Sequence, residues 1–237
     1  VVHCETSSGI LNPIRDIGQI AHEHKCSYFV DAMSSFGGVP LDVTESHIDF
    51  IVSSSNKCLQ GVPGFAFVIA RRKRLLDPDC VPTSLSLNLQ DQLHGLEKNG
   101  QFRFTPPTHV MLAFRQALVE LEQEGGIEAR AARYAANHLK LVDGMRNLGF
   151  REYIPRQQQS NIITTFLYPD VQGFVFPDFY DKLANRGMVI YPGKLTGADC
   201  FRIGCIGHLF PEDIQVLLDS IKQTLHEQGV ALKPISV

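Results

Sequence analysis

The sequence predicts an α/β fold, in which a mostly parallel sheet with helices on both faces is followed by a small α+β domain. Near the N-terminus a strand, a helix and a second strand follow one another, which is the order of a βαβ unit with a right-handed crossover. The predicted strands are continuously apolar, as is typical of a parallel sheet that is covered on both faces. After Gly149 the sequence pattern changes, and short strands and helices are predicted in mixed order. We therefore predict a large domain over residues 1–149 and a small one over residues 150–237.

The first part of the chain contains one predicted helix and three predicted strands. Residues 1–3 are typical of the end of a strand, and residues 4–9 of a polar loop at its tip. A helix is predicted from Asn12 to about Lys25, because Asn is a good N-cap and Pro13 suits the first helical position. The strands are predicted at residues 28–30, 48–52 and 65–70. Only seven residues separate Lys57 from the third strand, too few for a helical crossover, so this strand should be antiparallel to its neighbour.

In the rest of the chain, segments with a clear apolar periodicity alternate with a segment in which it is weak. Residues 77–107 are predicted to be a long irregular surface segment, of a kind that is usually functional or at an interface. Thr108 is predicted to cap a helix, and Gly125 and Gly126 to separate it from a second long helix at residues 127–148. The small domain is predicted to contain, in order, strand 161–167, helix 177–186, strand 188–191, strand 201–206 and helix 211–228.

Composition excludes several classes of protein. The 237 residues carry a net charge of −3, which argues against binding to nucleic acid, and the basic cluster at residues 71–74 is interpreted as a solvated strand exit. The six cysteines are scattered singly, as in reduced thiols of a cytoplasmic protein. No apolar run approaches the roughly 20 residues that cross a bilayer. Because the chain starts at Val1 inside an apolar segment, we expect it to be incomplete at this end.

Asp31 and Lys57 each follow an apolar strand, and this pair is the main candidate site. In an open α/β sheet, functional side chains lie at the carboxyl ends of the strands, so the two should face one crevice. A lysine amine that is partly desolvated there can form a Schiff base. Alone, Lys57 would more often be solvated and Asp31 would more often cap a helix. Together with Thr6 at a third strand tip, they indicate pyridoxal phosphate, which uses a Schiff-base lysine and a carboxylate against its pyridine nitrogen.

Several longer motifs strengthen this interpretation. They are His-Cys-Glu-Thr at residues 3–6, Asp-Ala-Met-Ser-Ser-Phe-Gly-Gly at 31–38, Ser-Ser-Asn-Lys-Cys at 54–58, Gln-Gly-Val-Pro-Gly-Phe at 60–65, Arg-Phe-Thr-Pro-Pro-Thr-His at 103–109 and Phe-Arg-Ile-Gly-Cys-Ile-Gly at 201–207. These motifs span nearly the whole chain and resemble the class V aminotransferases of pyridoxal-phosphate fold type I.

The resemblance implies a role for each matching residue. Lys57 would form the Schiff base with the cofactor and then act as the general base that moves the proton. Asp31 would pair with the pyridinium nitrogen, Thr6 would bind the ring-hydroxyl side, and Asn56 would lie beside the phosphate. Thr105 resembles the residue that such dimers send to the cofactor phosphate of the partner subunit.

Further polar residues carry alternatives. Arg202 would hold the substrate carboxylate, since a guanidinium forms a bidentate fork with a carboxylate and an ammonium does not. Lys194 either binds an anionic substrate group or is solvated, and Ser34 and Ser35 either contact the phosphate or form the turn. His3 and His109 are interpreted as structural residues, without the spacing of metal ligands.

The resemblance also implies the reaction. The amino group of 2-aminoethylphosphonate would pass to pyruvate, giving phosphonoacetaldehyde and L-alanine in phosphonate degradation, with a homodimeric enzyme. An alanine–glyoxylate or serine–pyruvate transaminase of the same class is the nearest alternative. Fold type I enzymes carry a large stretch ahead of the segment where this chain begins, so we expect it to match the C-terminal part of the large domain plus the small domain. A second alternative is therefore a truncated, non-catalytic chain that cannot hold the cofactor. Whatever the parent protein does, we expect this chain by itself to be poorly folded, weakly active or inactive.

Overall fold

The structure is a computed structural model that describes residues 1–235, in which three small sheets are combined with seven α-helices. The strands are β1 (Cys4–Glu5), β2 (Ile10–Leu11), β3 (Phe29–Asp31), β4 (Phe50–Ser54), β5 (Ala66–Ala70), β6 (Ile163–Leu167), β7 (Tyr191–Pro192) and β8 (Cys200–Gly204). The helices are α1 (Ile14–Glu23), α2 (Arg72–Leu75), α3 (Leu89–Asn99), α4 (Thr108–Glu124), α5 (Gly126–Asn147), α6 (Phe176–Asn185) and α7 (Pro211–Glu227). None of these helices is long and apolar enough to cross a membrane.

The sheet that carries Asp31 has the strand order β3-β4-β5. β3 and β4 are parallel, with Asp31 opposite Val52, and β5 is antiparallel to β4, so both predicted pairings are confirmed. Val30 and Ile51 are buried in a cluster that includes Ile14 of α1. Phe29 is half exposed, so the described part of the chain leaves this side chain of β3 uncovered.

Residues 4–11 form a hairpin and not the predicted loop. β1 pairs antiparallel with β2, and residues 6–9 make the turn between them. The prediction that Asn12 caps α1 is also wrong, because its side-chain Nδ2 donates to the Val2 carbonyl at 2.7 Å and Pro13 occupies the cap position. The hairpin bends the chain back on itself, and this leaves Thr6 at the tip.

Residues 77–107 contain a helix that the sequence pattern did not predict. α3 begins after Asn88, whose side chain accepts a hydrogen bond from the Asp91 amide at 3.1 Å, and it ends at Gly100, which has a φ of 73°. These are ordinary helix start and stop residues, but the weak apolar pattern between them favours the irregular segment that we predict. Residues 77–88 have no helix or strand, as predicted for the whole segment.

The C-terminal sheet has the order β6-β8-β7 and is antiparallel throughout. The strand predicted at residues 188–191 is shifted, since only Tyr191 and Pro192 pair with β8, opposite Arg202 and Phe201. One large core packs against this sheet; among its fully buried side chains are Met145, Phe150, Phe166, Phe179, Leu183, Phe201 and Ile221.

Helices α4 and α5 lie in the chain between the β3-β4-β5 sheet and the C-terminal sheet. They meet at Gly125, whose φ of 108° is in the left-handed region that favours glycine. Thr108 is the first residue of α4, without a side-chain capping bond, so its predicted capping role is wrong. α5 contributes Tyr134 to a cluster with Cys4 and Cys58, while its last turns belong to the C-terminal core. The division into domains near Gly149 stays a prediction.

Candidate active site

A cavity of about 800 Å³ opens between the β1–β2 turn, the loop after β4, strand β8 and helix α7. Its polar lining consists of Thr6, Ser34, Lys57, Lys194, Arg202 and Asp213. The other lining residues are mostly apolar and come from residues 187–192, the strands of the C-terminal sheet and α7. The fold thus brings three predicted site residues together from distant parts of the chain, namely Thr6, Lys57 and Arg202.

Arg202 reaches the cavity from the middle strand of the C-terminal sheet and is only 5% exposed. Its Nη1 donates to the Thr6 carbonyl at 2.7 Å, and its Nε donates to the Pro192 carbonyl at 3.1 Å. The guanidinium carbon also lies 5.6 Å from the centre of the Tyr191 ring. A buried cation is tolerated only when its N–H groups find hydrogen-bond acceptors or other favourable contacts. The two carbonyl groups and the Tyr191 ring supply some of these. They also fix the direction of the remaining N–H groups, as an anion-binding fork requires.

The β1–β2 turn is fixed against β6. Thr165 donates its hydroxyl to the Ser7 carbonyl at 3.1 Å, and the Ser160 amide donates to the Gly9 carbonyl at 2.8 Å. Thr6 therefore belongs to a turn that is fixed by hydrogen bonds from residues in and next to the C-terminal sheet. The Thr6 carbonyl itself accepts the hydrogen bond from Arg202.

Lys57 lies in a hydrogen-bonded loop just beyond the end of β4. The Ser55 hydroxyl donates to the Val62 carbonyl at 2.7 Å, the Gly61 amide donates to the Ser55 carbonyl at 2.8 Å, and the Gln60 amide donates to the Lys57 carbonyl at 2.9 Å. The Lys57 side chain itself is exposed. The amine is therefore accessible from the cavity, which Lys57 also lines.

Cys58, next to Lys57, is fully buried. Its Sγ donates to the Ser34 carbonyl at 3.1 Å, and burial raises the pKa of the thiol to about 12. Because a thiolate is the reactive form of cysteine, Cys58 is excluded as a nucleophile at neutral pH. All six cysteines are free; four are buried, whereas Cys26 and Cys80 are exposed.

Asp31 and Asn56 border the cavity without lining it. Each is close in sequence to a lining residue, Ser34 or Lys57 respectively. The Asp31 carboxylate is half-buried, and its Oδ1 accepts a hydrogen bond from the Met33 amide at 2.9 Å. This turn fixes the carboxylate at the end of β3, where the sequence predicted it.

His3 supports the strand that carries Asp31. Its amide donates to the Asp31 carbonyl at 2.8 Å, and its Nδ1 lies 2.9 Å from the buried Ser35 hydroxyl. Burial lowers the pKa of the imidazole to about 4, so the ring is neutral. The interpretation of His3 as a structural histidine is confirmed.

Thr105 is exposed, in the segment between α3 and α4, and does not line the cavity. Its predicted contact with a partner subunit stays a prediction. Lys194 is exposed and lines the cavity. The sequence did not indicate Asp213, whose carboxylate accepts a hydrogen bond from the Phe210 amide at 2.8 Å at the start of α7. It also did not indicate the apolar wall, because these residues meet the site only through tertiary folding.

The charges that line the cavity are mainly positive. Lys57, Lys194 and Arg202 face one carboxylate, Asp213. A concave site with this balance attracts anionic ligands. The reactive groups available at the site are therefore a primary amine, a bordering carboxylate and a buried guanidinium.

Comparison with known proteins gives one consistent result. The family model for aminotransferase class-V matches residues 1–203. A 2-aminoethylphosphonate–pyruvate transaminase from Phocaeicola vulgatus is 56% identical over 94% of this chain and 61% of its own length. A transaminase of the same name from Vibrio cholerae is 51% identical over 96% of this chain and 62% of its own length. This chain thus spans about three fifths of these relatives.

Among solved structures, the pyridoxamine–pyruvate aminotransferase from Mesorhizobium loti superposes with a TM-score of 0.87 at 26% identity. The match covers 98% of this chain and 60% of that protein. The predicted fold class is confirmed by this likeness and by the family model.

Proposed function

This chain belongs to the class-V aminotransferase family, and from that premise we propose that the protein is a pyridoxal-phosphate-dependent transaminase. The proposed reaction moves the amino group of 2-aminoethylphosphonate to pyruvate and gives phosphonoacetaldehyde and L-alanine. The observation that carries this choice of substrates is the 51–56% identity to transaminases of that name, over 94–96% of this chain.

The chemistry of the side chains around the cavity supports the cofactor. Lys57 supplies the primary amine that an aldehyde needs for covalent attachment, and Asp31 supplies a carboxylate for the pyridinium nitrogen. The hydroxyl groups of Thr6 and Ser34 and the amide of Asn56 suit the ring hydroxyl and the phosphate. When bound, pyridoxal phosphate supplies an electron sink for the substrate carbon that loses its proton.

We assign the Lys57 Nζ as the group that takes up and returns the substrate proton. The backbone bonds at Gln60 and Gly61 fix the base of the loop, while the exposed side chain keeps the freedom to move. A base that is held within reach of its proton contributes typically 10²–10⁴-fold to a rate.

Arg202 is proposed to bind the anionic end of each substrate in turn. Its guanidinium is oriented by two backbone carbonyls and suits the carboxylates of pyruvate and L-alanine. The phosphonate of the donor carries more negative charge than a carboxylate, and Lys194 is a second cation on the cavity wall. We propose that Arg202 and Lys194 together bind the phosphonate.

A homodimer is part of the proposal. Thr105 lies near exposed apolar side chains, including Phe102 and Phe104, and would contact the cofactor phosphate of the partner subunit. Sedimentation of the holoprotein at micromolar concentration is expected to give twice the monomer mass, and a monomer that is fully active would contradict this arrangement.

The substrate assignment is tested by comparing amino donors. We expect the natural protein loaded with pyridoxal phosphate to use 2-aminoethylphosphonate with pyruvate at a kcat/KM at least about 100-fold above that for alanine or serine with glyoxylate or pyruvate. A preference for alanine or serine would identify an alanine–glyoxylate or serine–pyruvate transaminase and overturn the proposal.

The role of Lys57 has a spectroscopic test. The holoprotein should be yellow, and borohydride should bleach the visible band and leave the cofactor covalently attached. Lys57→Ala should remove the attachment, whereas substitution of the exposed Lys25 should leave it unchanged. A colourless wild-type protein that binds no cofactor would instead support a non-catalytic chain.

A further inference from the structure

A charged cluster at the junction of α4 and α5 contacts the loop that carries Lys57. Arg130 is 2% exposed, and its Nη1 donates to the carbonyl of Cys58, the residue after Lys57, at 3.0 Å. Its Nε and Nη2 donate to one oxygen of Glu124 at 2.9 and 2.8 Å. A buried guanidinium satisfied in this way is strongly directional, so it fixes the position of the Cys58 carbonyl.

The same carboxylate joins a second arginine that contacts the chain beyond β8. Arg133 donates from Nε to Glu124 at 2.8 Å, and from Nη1 to the carbonyls of Gly207 and Leu209, both at 2.8 Å. Burial favours the protonated carboxyl, but the hydrogen bonds from Arg133 and Arg130 outweigh it and hold the pKa of Glu124 below its usual range. Glu124 therefore stays ionised and connects the lysine loop to the segment that follows the Arg202 strand.

A second, uncharged connection runs in parallel. Gln60 donates from Nε2 to the Tyr134 hydroxyl at 2.7 Å and to the Gly207 carbonyl at 3.0 Å. The Gly207 amide donates to the same hydroxyl at 3.2 Å. Gln60 has a φ of 60°, in the left-handed region that a non-glycine residue rarely adopts. Such a conformation persists only where its surroundings hold it, and these two side-chain bonds do so.

We propose that Glu124, Arg130, Arg133 and Tyr134, here called the bridging cluster, set the position of Lys57 relative to Arg202. None of the four lines the cavity, so they are positioning residues and not catalytic ones. The assignment rests on the proposed function, in which Lys57 moves the proton and Arg202 holds the substrate. A reaction that needs both groups in place is sensitive to small displacements, since an error of about 1 Å can cost about 10²-fold in rate.

The test compares two arginines of α5. Arg130→Lys keeps the charge but loses the fork, and Arg146→Lys is the matched control. Arg146 also forms a partly buried ion pair, with Glu152 at 2.8 Å, but at the far end of the helix. In the natural protein loaded with pyridoxal phosphate, we expect Arg130→Lys to lower kcat at least tenfold. Arg146→Lys should keep kcat within about twofold of the wild type. This should hold even if Arg146→Lys lowers the melting temperature as much as Arg130→Lys does.

Hydrogen exchange supplies a readout that needs neither cofactor nor turnover. In Arg130→Lys, the amides of residues 58–61 and 205–209 should exchange at least tenfold faster than in the wild type, while Arg146→Lys leaves them unchanged. If Arg130→Lys does not fold, Tyr134→Phe gives the same test, because it removes only the hydroxyl that Gln60 and Gly207 share. Exchange and kcat that match the wild type in the folded variant would overturn the inference, as would equal effects of the two arginine substitutions.

The two proposals fail in different ways. A wild-type protein that forms no bond between Lys57 and the cofactor overturns the proposed function, and the exchange data then still decide whether the cluster holds the two segments. A normal wild-type enzyme whose Arg130→Lys variant keeps full activity overturns only the inference about the cluster.

Discussion

The buried ring of His3 makes the stability of the strand under Asp31 depend on pH. The ring is 5% exposed, and its Nδ1 lies 2.9 Å from the Ser35 hydroxyl. Burial lowers the pKa of His3 from 6.5 to about 4, so the unfolded chain binds a proton at pH values where the folded chain does not.

We predict that lowering the pH decreases the free energy of unfolding, because the His3 ring is neutral in the folded chain. The folded-state pKa is the lower one, so this contribution is complete above about pH 6.5 and is lost as the pH falls towards 4. The loss is at most roughly 3–4 kcal/mol in the free energy of unfolding. Denaturant unfolding at pH 7, 6, 5 and 4 should show a shallower dependence in His3→Gln than in the wild type. The same substitution at the exposed His24 is the control, and parallel slopes for His3→Gln and the wild type would contradict the prediction.

At the scale of elements, the β1–β2 hairpin lies close against the C-terminal sheet. Gly9 has a φ of 89°, and a Cβ added to it would lie 2.6 Å from the Ile163 carbonyl oxygen. The hairpin turn can therefore reach β6 only with glycine at this position, and the same turn positions the Thr6 carbonyl for Arg202.

We predict that Gly9→Ala destabilises the protein by about 2–4 kcal/mol, through backbone strain and through the clash with β6. Gly100 is the matched control, because its φ of 73° gives similar strain but no atom lies within 4 Å of an added Cβ. Gly100→Ala should cost only about 1 kcal/mol. Equal losses in denaturant unfolding would mean that the close approach is energetically unimportant.

The elements that the sequence predicted well are those with a local signal. The strands before Asp31 and Lys57 were found from short apolar runs that end in polar residues. α3 is not predicted because it carries only three leucines, none of them buried, although Asn88 and Gly100 are ordinary start and stop signals. Asn12 was assigned to a cap because its competing partner, the Val2 carbonyl, is ten residues away and becomes available only in the folded chain.

At the scale of the whole molecule, the site is shared by segments that are far apart in sequence. The cavity is lined by Thr6 near the start of the chain, Lys57 after β4 and Arg202 in β8. A ligand that fills it contacts the hairpin turn, the loop after β4 and the C-terminal sheet, so ligand binding should stabilise the protein as a unit.

We therefore predict a large thermal shift with the cofactor. Pyridoxal phosphate at about 100 times its Kd should add about 2.7 kcal/mol, which corresponds to a rise in Tm of roughly 5–10 °C. Lys57→Ala should show a clearly smaller rise in Tm at the same concentration of pyridoxal phosphate. The wild type should also show a smaller rise with pyridoxine at that concentration, because pyridoxine lacks the aldehyde and the phosphate. An equal rise with pyridoxine would show that the stabilisation does not depend on the proposed contacts.

Sequence motifs located the site residues but not what holds them. Lys57, Asp31 and Arg202 belong to continuous motifs, which can be found without coordinates. The bridging cluster combines residues from α4 and α5 with carbonyl groups of Cys58, Gly207 and Leu209, and a backbone carbonyl leaves no mark in a sequence. The exposure of the Lys57 side chain is likewise a property of the folded chain and cannot be obtained from its motif.

The contacts of Arg202 have a consequence for how such sequences can diverge. Its guanidinium is oriented by the main-chain carbonyls of Thr6 and Pro192, and every amino acid carries that acceptor. Substitution at either position therefore keeps the acceptor as long as the backbone path is kept. The orientation of Arg202 should therefore tolerate substitutions at positions 6 and 192. It should depend on the backbone geometry of the hairpin and the strand more than on the side chains at these two positions.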